Sequence, residues 1–180
     1  MSLITYDGLV ELVDQGVVTG VEPEQINGAS IDVRLGPTIW IEDARGGVVD
    51  LAAKESPTLR LYDLSCGAYA LRPGEFILAQ TREQFNLPTD VAFEFKLKSS
   101  LARSGLGHLL AGHADPAWHG SVLTLEYQNC LQHHTLLIRN GMKAGQIVFH
   151  RGEPVPDEHS YAARGQYNQC AASTPSRGLR

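Results

Sequence analysis

SVLTLEY, residues 121–127, alternates as a half-buried β-strand does, and it places Val122, Thr124 and Glu126 on one face. Working outward, SIDVRLG (30–36), TIWIED (38–43), EFILAQT (75–81), VAFEFKL (91–97), TLLIR (135–139) and GQIVFH (145–150) have the same character. All are rich in β-branched and aromatic residues, and Gly, Pro, Asn and Asp clusters separate them. The one clear helix is TYDGLVELVDQ (5–15): Thr5 is a candidate cap, Leu9, Leu12 and Val13 make an apolar stripe, and Gly16 ends it. Many short strands with one or two helices predict a mainly β protein, a barrel or a sandwich. Residues 1–154 read as one domain. From about Val155 the pattern is lost, and residues 155–180 read as a polar tail, flexible in isolation.

Composition narrows the function. A chain of 180 residues suits one domain with a real core. The net charge of −5 argues against a general nucleic-acid binder and directs the available cations to a small anion. No apolar run approaches the roughly 18 residues of a membrane span. MSLITYDGLVEL lacks a basic leader region, and Asp7 and Glu11 interrupt it, so a cytoplasmic protein is expected. Cys66, Cys130 and Cys170 are odd in number and form no CxxC pair, which points to reduced thiols. His108, His113, His119 and the His133-His134 pair have no metal-binding periodicity, and structural or solvated roles are expected for them. The HxE and PCxxC pair of zinc-dependent deaminases is missing from the sequence.

Two stretches are candidates to carry chemistry, and one further strand holds an unusual charge pair. KSSLARSGL (98–106) follows a strand; a serine there can cap a helical turn whose first amides receive an anion. Arg103 lies one helical repeat after Ser99 or Ser100, with a fork suited to phosphate, and Lys98 adds a point charge. In AGHADPAWHGSVLTLEYQN (111–129), Asp115-Pro116 marks a turn and Gly120 allows tight entry into the strand of Glu126. If that face is covered, Glu126 is a buried carboxylate with a raised pKa, which a general base near neutrality needs. In SIDVRLG, Asp32 and Arg34 share a face, the simple reading being a half-exposed strand with a solvated charge pair.

Taken together, KSSLARSGL, HLLAGHADPAWHG and SVLTLEYQN resemble the nucleotide site of the dCTP deaminases, relatives of the trimeric dUTPases. INGASIDVRLG, RNGMKAGQIVF and QYNQCAASTPSR extend the resemblance over nearly the whole chain, in order. The resemblance implies a distorted β-barrel of the dUTPase-like, jelly-roll type, assembled as a homotrimer with sites at subunit interfaces. It also implies hydrolytic deamination of dCTP to dUTP and ammonia without zinc, with Mg²⁺ riding on the triphosphate. On this reading Glu126 is the catalytic glutamate, Ser99 and the Ala111 carbonyl hold the water, and Arg103 supports the glutamate. Lys98, Ser99, Ser100, Leu101, Ala102 and Arg103 contact phosphate, Asp115 the sugar region, and Thr124 and Leu125 with Glu126 the base. Tyr161, Gln166 and Gln169 fall in the tail that closes over the triphosphate.

Some positions depart from the family pattern. Lys98 stands in place of an arginine and Gln166 in place of a tail lysine, while Ala117 replaces a glycine. Leu109 and Leu110 occupy positions linked to dTTP feedback. Gln146 resembles the bifunctional members, which also cleave the triphosphate to give dUMP and pyrophosphate; that activity is one alternative, and a non-catalytic nucleotide-binding protein is another.

Overall fold

The computed structural model describes residues 2–178. In chain order the elements are β1 (Ser2–Leu3), α1 (Tyr6–Asp14), β2 (Val18–Thr19), β3 (Ile31–Arg34), β4 (Thr38–Glu42), β5 (Leu59–Asp63), β6 (Tyr69–Leu71) and β7 (Phe76–Asn86). They continue as β8 (Val91–Lys96), α2 (Ser99–Arg103), β9 (Leu106–His108), β10 (His113–Ala114), β11 (His119–Asn129), β12 (Leu136–Ile138), β13 (Lys143–Arg151) and α3 (Tyr161–Arg164). Every strand read from the sequence is present. β1, β2, β5, β6, β9 and β10 are additional: short edge segments whose extended form depends on a neighbour more than on their own pattern.

The strands form two larger antiparallel sheets. In the first, β13 is central: β8 pairs along one edge and β3 and β1 share the other, with β10 beyond β8. In the second the order is β5-β4-β7-β11-β9, and β2 also pairs with β7. β6 and β12 pair as a separate two-stranded ribbon, whose Leu71 and Ile138 join the same apolar core. The mainly β architecture is therefore as the sequence predicts.

The two sheets meet over one apolar core, because each strand turns alternate residues inward. Phe85 of β7 and Phe93 of β8 approach to 4.8 Å between ring centroids, and Phe149 of β13 packs edge-on to Phe93 at 5.6 Å. Tyr127 of β11 is buried among them, and its hydroxyl donates to the Ala144 carbonyl at 2.8 Å, tying one sheet to the other. On α1, Leu9 and Leu12 are fully buried, so the apolar stripe faces the core. Thr5 occupies the N-cap position, but its side chain makes no capping bond. Gly16 takes a left-handed φ of 71° at the end of the helix, the conformation for which glycine carries no Cβ penalty.

Asp32 departs from the solvated reading. It is buried, and it accepts hydrogen bonds from Lys98, from Lys143 at 3.0 Å and from the Asn27 amide at 2.9 Å. Burial alone pushes the Asp32 carboxyl up, but the two ammonium groups outweigh it and hold it below the ordinary carboxylate range. Glu83 is a second buried carboxylate; Gln25 donates to it at 2.8 Å and the Arg34 amide at 2.9 Å.

The tail beyond Val155 has little regular structure and docks through backbone groups. Trp118 Nε1 donates to the Tyr167 carbonyl at 2.8 Å, and Trp40 Nε1 to the Ser173 carbonyl at 2.9 Å. The Ser173 amide donates to Gln80 Oε1 at 2.7 Å.

Candidate active site

A cavity of about 470 Å³ opens on the face of β11 that the alternation singled out. Val122, Thr124 and Glu126 line it together with Ala111, Trp118 and Tyr161. Trp118, Leu78, Phe76 and Leu123 make much of the wall apolar, and this environment sets the chemistry of the carboxyl. Glu126 keeps only 22% of its side chain exposed, and its Oε2 is sealed with no hydrogen-bond partner among the described residues. Burial pushes the Glu126 carboxyl up to about 7, so near neutrality it exists in both proton-accepting and proton-donating forms.

The backbone of β11 adds a second feature. Val122 N donates to the Cys170 carbonyl at 3.0 Å, and the Glu126 carbonyl accepts from Leu109 N at 3.1 Å, both on the edge away from β7. A register shift separates Val122 from Thr124, but none lies between Thr124 and Glu126, so by the two-residue period Thr124 turns its N–H and C=O to the edge that the Glu126 carbonyl uses. Strand pairing with β9 begins only at Tyr127, so no strand covers Thr124 there among the described residues. A planar ring with an amide-like edge can pair with exposed backbone of this kind. Leu125 is fully buried in the core, so only its backbone is available for such a contact.

An adjoining depression of about 450 Å³ holds Asp115, Tyr161, Arg164 and Gln166. Tyr161 and Tyr167 belong to the walls of both spaces and join them. Asp115 is exposed and lies 3.2 Å from His113 Nε2. The turn it begins is closed by Trp118 N donating to the Asp115 carbonyl at 3.3 Å. Ala117 within that turn takes a φ of 66°, and Gly120 follows at 64°. Gln166 offers its carbonyl to Arg177, and Gln169, at a φ of 56°, donates its amide to the His119 carbonyl at 3.0 Å.

The KSSLAR segment lies apart from both spaces within one chain. Lys98, at the N-cap of α2, makes no capping bond with its side chain. Ser99 and Ser100 are therefore the first helical residues and not the cap. Ser99, Ser100, Ala102 and Arg103 are exposed, and Leu101 packs partly against the core. None of them lines either cavity, and Arg103 pairs with no carboxylate among the described residues. Lys98 already has a partner in Asp32. Gln146 sits on β13, opposite Asp32 and Lys96, and accepts from Ser30 Oγ at 3.2 Å. Among the described residues, no group of three His, Cys, Asp or Glu side chains is placed to hold a metal ion, and no helix is long and apolar enough to cross a membrane.

Two features were not read from the sequence. Tyr167 lies in the quoted QYNQC stretch, but only the tail's docking reveals that it joins the two spaces. His108, read as structural or solvated, stands beside Glu126, brought there by the pairing of β9 with β11.

The profile of the dCTP deaminase-like family matches residues 5–152. A dUMP-forming dCTP deaminase of a Nocardioides species is 38% identical over 187 aligned positions, covering 98% of this chain and 95% of that protein. One from Methanosphaerula palustris is 34% identical over 158 positions, covering 87% of this chain and 83% of its own length. Among solved structures, the 2'-deoxycytidine 5'-triphosphate deaminase of Agrobacterium tumefaciens superposes with a TM-score of 0.67 at 20% identity. That match covers 87% of this chain and 50% of the other, and it supports the fold. A family profile spanning most of the chain, and relatives this similar over most of their own length, place the chain in the dCTP deaminase-like family.

Proposed function

We propose that the protein converts dCTP to dUMP, ammonia and pyrophosphate, combining deamination with cleavage of the triphosphate. The observation that carries the deamination is Glu126, a buried carboxyl with a pKa near 7 in the wall of a cavity of about 470 Å³. The dUMP-forming outcome is supported by the curated relatives, which carry that activity in their names, and it takes the place of dUTP as the expected end product.

In the deamination, ionised Glu126 takes a proton from a water held beside the Ala111 carbonyl. The water oxygen bonds to C4 of the cytosine, and N3 receives the proton. The carboxylate, ionised again, then takes the proton of the new C4 hydroxyl and passes it to N4; the C4–N4 bond breaks, ammonia leaves, and the C4 carbonyl of uracil forms. The exposed backbone at Thr124 is suited to hold the edge of the base. In the second reaction another water attacks the α-phosphorus, the bond to the bridging oxygen breaks, and pyrophosphate leaves. Asp115, in the adjoining depression, is the carboxylate we assign to the sugar end and to that water. Mg²⁺ enters as part of the nucleotide substrate.

Ser99 and Arg103 are exposed on α2, away from the cavity of their own chain. We assign them to the site of a neighbouring copy in a homotrimer, where they meet that copy's Glu126 and the nucleotide's phosphates.

The test is incubation with dCTP and Mg²⁺, and separately with dUTP, followed by anion-exchange separation of the nucleotides. dUMP and pyrophosphate from dCTP are expected, with Glu126→Gln lowering deamination by about 10³-fold. dUTP accumulating as the end product would return the single-activity reading, and nucleotide binding without turnover would overturn both.

A further inference from the structure

His108 and Glu126 each bury a polar side-chain atom that has no hydrogen-bond partner among the described residues, and these two atoms face each other. His108 Nε2 lies 3.5 Å from Glu126 Oε2, and the imidazole keeps only 4% of its side-chain surface. Its other nitrogen reveals the tautomer. The Leu110 amide donates to His108 Nδ1 at 3.2 Å, so Nδ1 is the acceptor and a neutral ring carries its proton on Nε2. Leu110 is 90% exposed yet holds a φ of 65°, a conformation its side chain does not favour, and this bond helps to hold it there. Phe95 at 4.6 Å and Tyr127 at 5.7 Å between ring centroids set the plane of the imidazole.

We infer that His108 is a positioning residue for Glu126, its Nε2–H closing the 3.5 Å gap to donate to Oε2 when the carboxyl ionises, and leaving Oε1 as the oxygen that meets the water in the cavity. This rests on the proposed deamination for its catalytic meaning. The apolar walls disfavour an imidazolium, and burial holds His108 down to about 4, so it acts near neutrality as a donor and not as an acid. A donor on Oε2 stabilises the ionised carboxyl that burial disfavours. The other titratable groups facing the pair are His113 from β10, Tyr127 on β11, and Tyr161, Tyr167 and Cys170 from the tail. β7 presents Leu78 and Phe76, and β8 presents Phe95.

Two variants and one spectrum test the assignment. In His108→Leu, kcat for dCTP deamination should fall about 10- to 100-fold with KM within about threefold, and the acid limb of kcat/KM should rise by about one pH unit. His108→Gln returns a donor near the Nε2 position and should restore the limb and most of kcat. Nitrogen-15 NMR of the unsubstituted protein should show His108 protonated on Nε2, with that signal moving in Glu126→Gln. Carbon-13 titration of the Glu126 carboxyl should give a higher pKa in His108→Leu, whether or not the protein turns over dCTP. Loss of all deamination in the unsubstituted protein would therefore defeat the functional proposal and leave these spectra to decide the pairing. An Nδ1-protonated ring, or an unchanged acid limb and carboxyl pKa in His108→Leu, would overturn the inference. If His108→Leu does not fold, the spectrum of the unsubstituted protein still decides.

Discussion

At the scale of the residue, the burial of Glu126 sets stability against the proposed chemistry. A carboxyl with a folded-state pKa of about 7 against an ordinary 4.5 keeps its proton over a range where the unfolded chain has lost it. Below the lower value both states are protonated and nothing is lost. As pH rises through the interval stability falls, and above the upper value the full penalty applies, at most about 3 kcal/mol. Glu126→Gln should therefore be more stable than the parent by up to that amount at about pH 8, with the difference vanishing near pH 4. Urea unfolding at the two pH values measures it, and an equal difference at both would contradict a buried, raised carboxyl.

At the scale of the element, β13 is held from both sides by features that single substitutions should expose. Asp32 of β3 receives Lys143 from β13 and Lys98 from the start of α2. Removing the carboxylate leaves two cations facing each other in a partly buried space, and Asp32→Ala should cost about 2–4 kcal/mol in chemical unfolding. Because the folded carboxyl lies below its ordinary value, its contribution is present above the unfolded pKa and is lost as pH falls through the folded one. The parent should thus lose its advantage over Asp32→Ala in acid. On the other side, a Cβ at Gly145 would stand 2.2 Å from the Phe95 ring and 2.9 Å from the Lys96 carbonyl. Gly145→Ala must displace that ring or separate β13 from β8, and a loss of about 1–3 kcal/mol is expected from thermal unfolding. A Gly145→Ala protein as stable as its parent would show that the contact relaxes freely.

At the scale of the whole molecule, the separation of α2 from the Glu126 cavity makes assembly part of the proposed chemistry. Glu126→Gln and Arg103→Ala should each be inactive alone. If the site takes Glu126 from one copy and Arg103 from the next, co-refolded mixtures of the two variants contain sites with neither defect. At equal proportions and random assembly, activity should return to about a quarter of the parent's. No recovery in a mixture shown by light scattering to be trimeric would place both residues in one chain's site.

The strands were legible because a two-residue period is a local property of extended backbone, carried by segments such as SVLTLEY and VAFEFKL without reference to the rest of the chain. For the same reason Glu126 was assigned to the correct face before its cavity was known. The short β9 and β10 carried no such period. Asp32 was read as solvated because its partners Lys98 and Lys143 lie 66 and 111 residues away. His108 offered no sign of its position, since a lone histidine between glycine and leucine resembles many others; strand register brought it to Glu126. The sequence by itself determined seven of the thirteen strands among the described residues, the faces of those seven, and the family. Only the tertiary structure decided which buried groups meet, because partnership across strands depends on register and packing between distant segments, which no local pattern encodes.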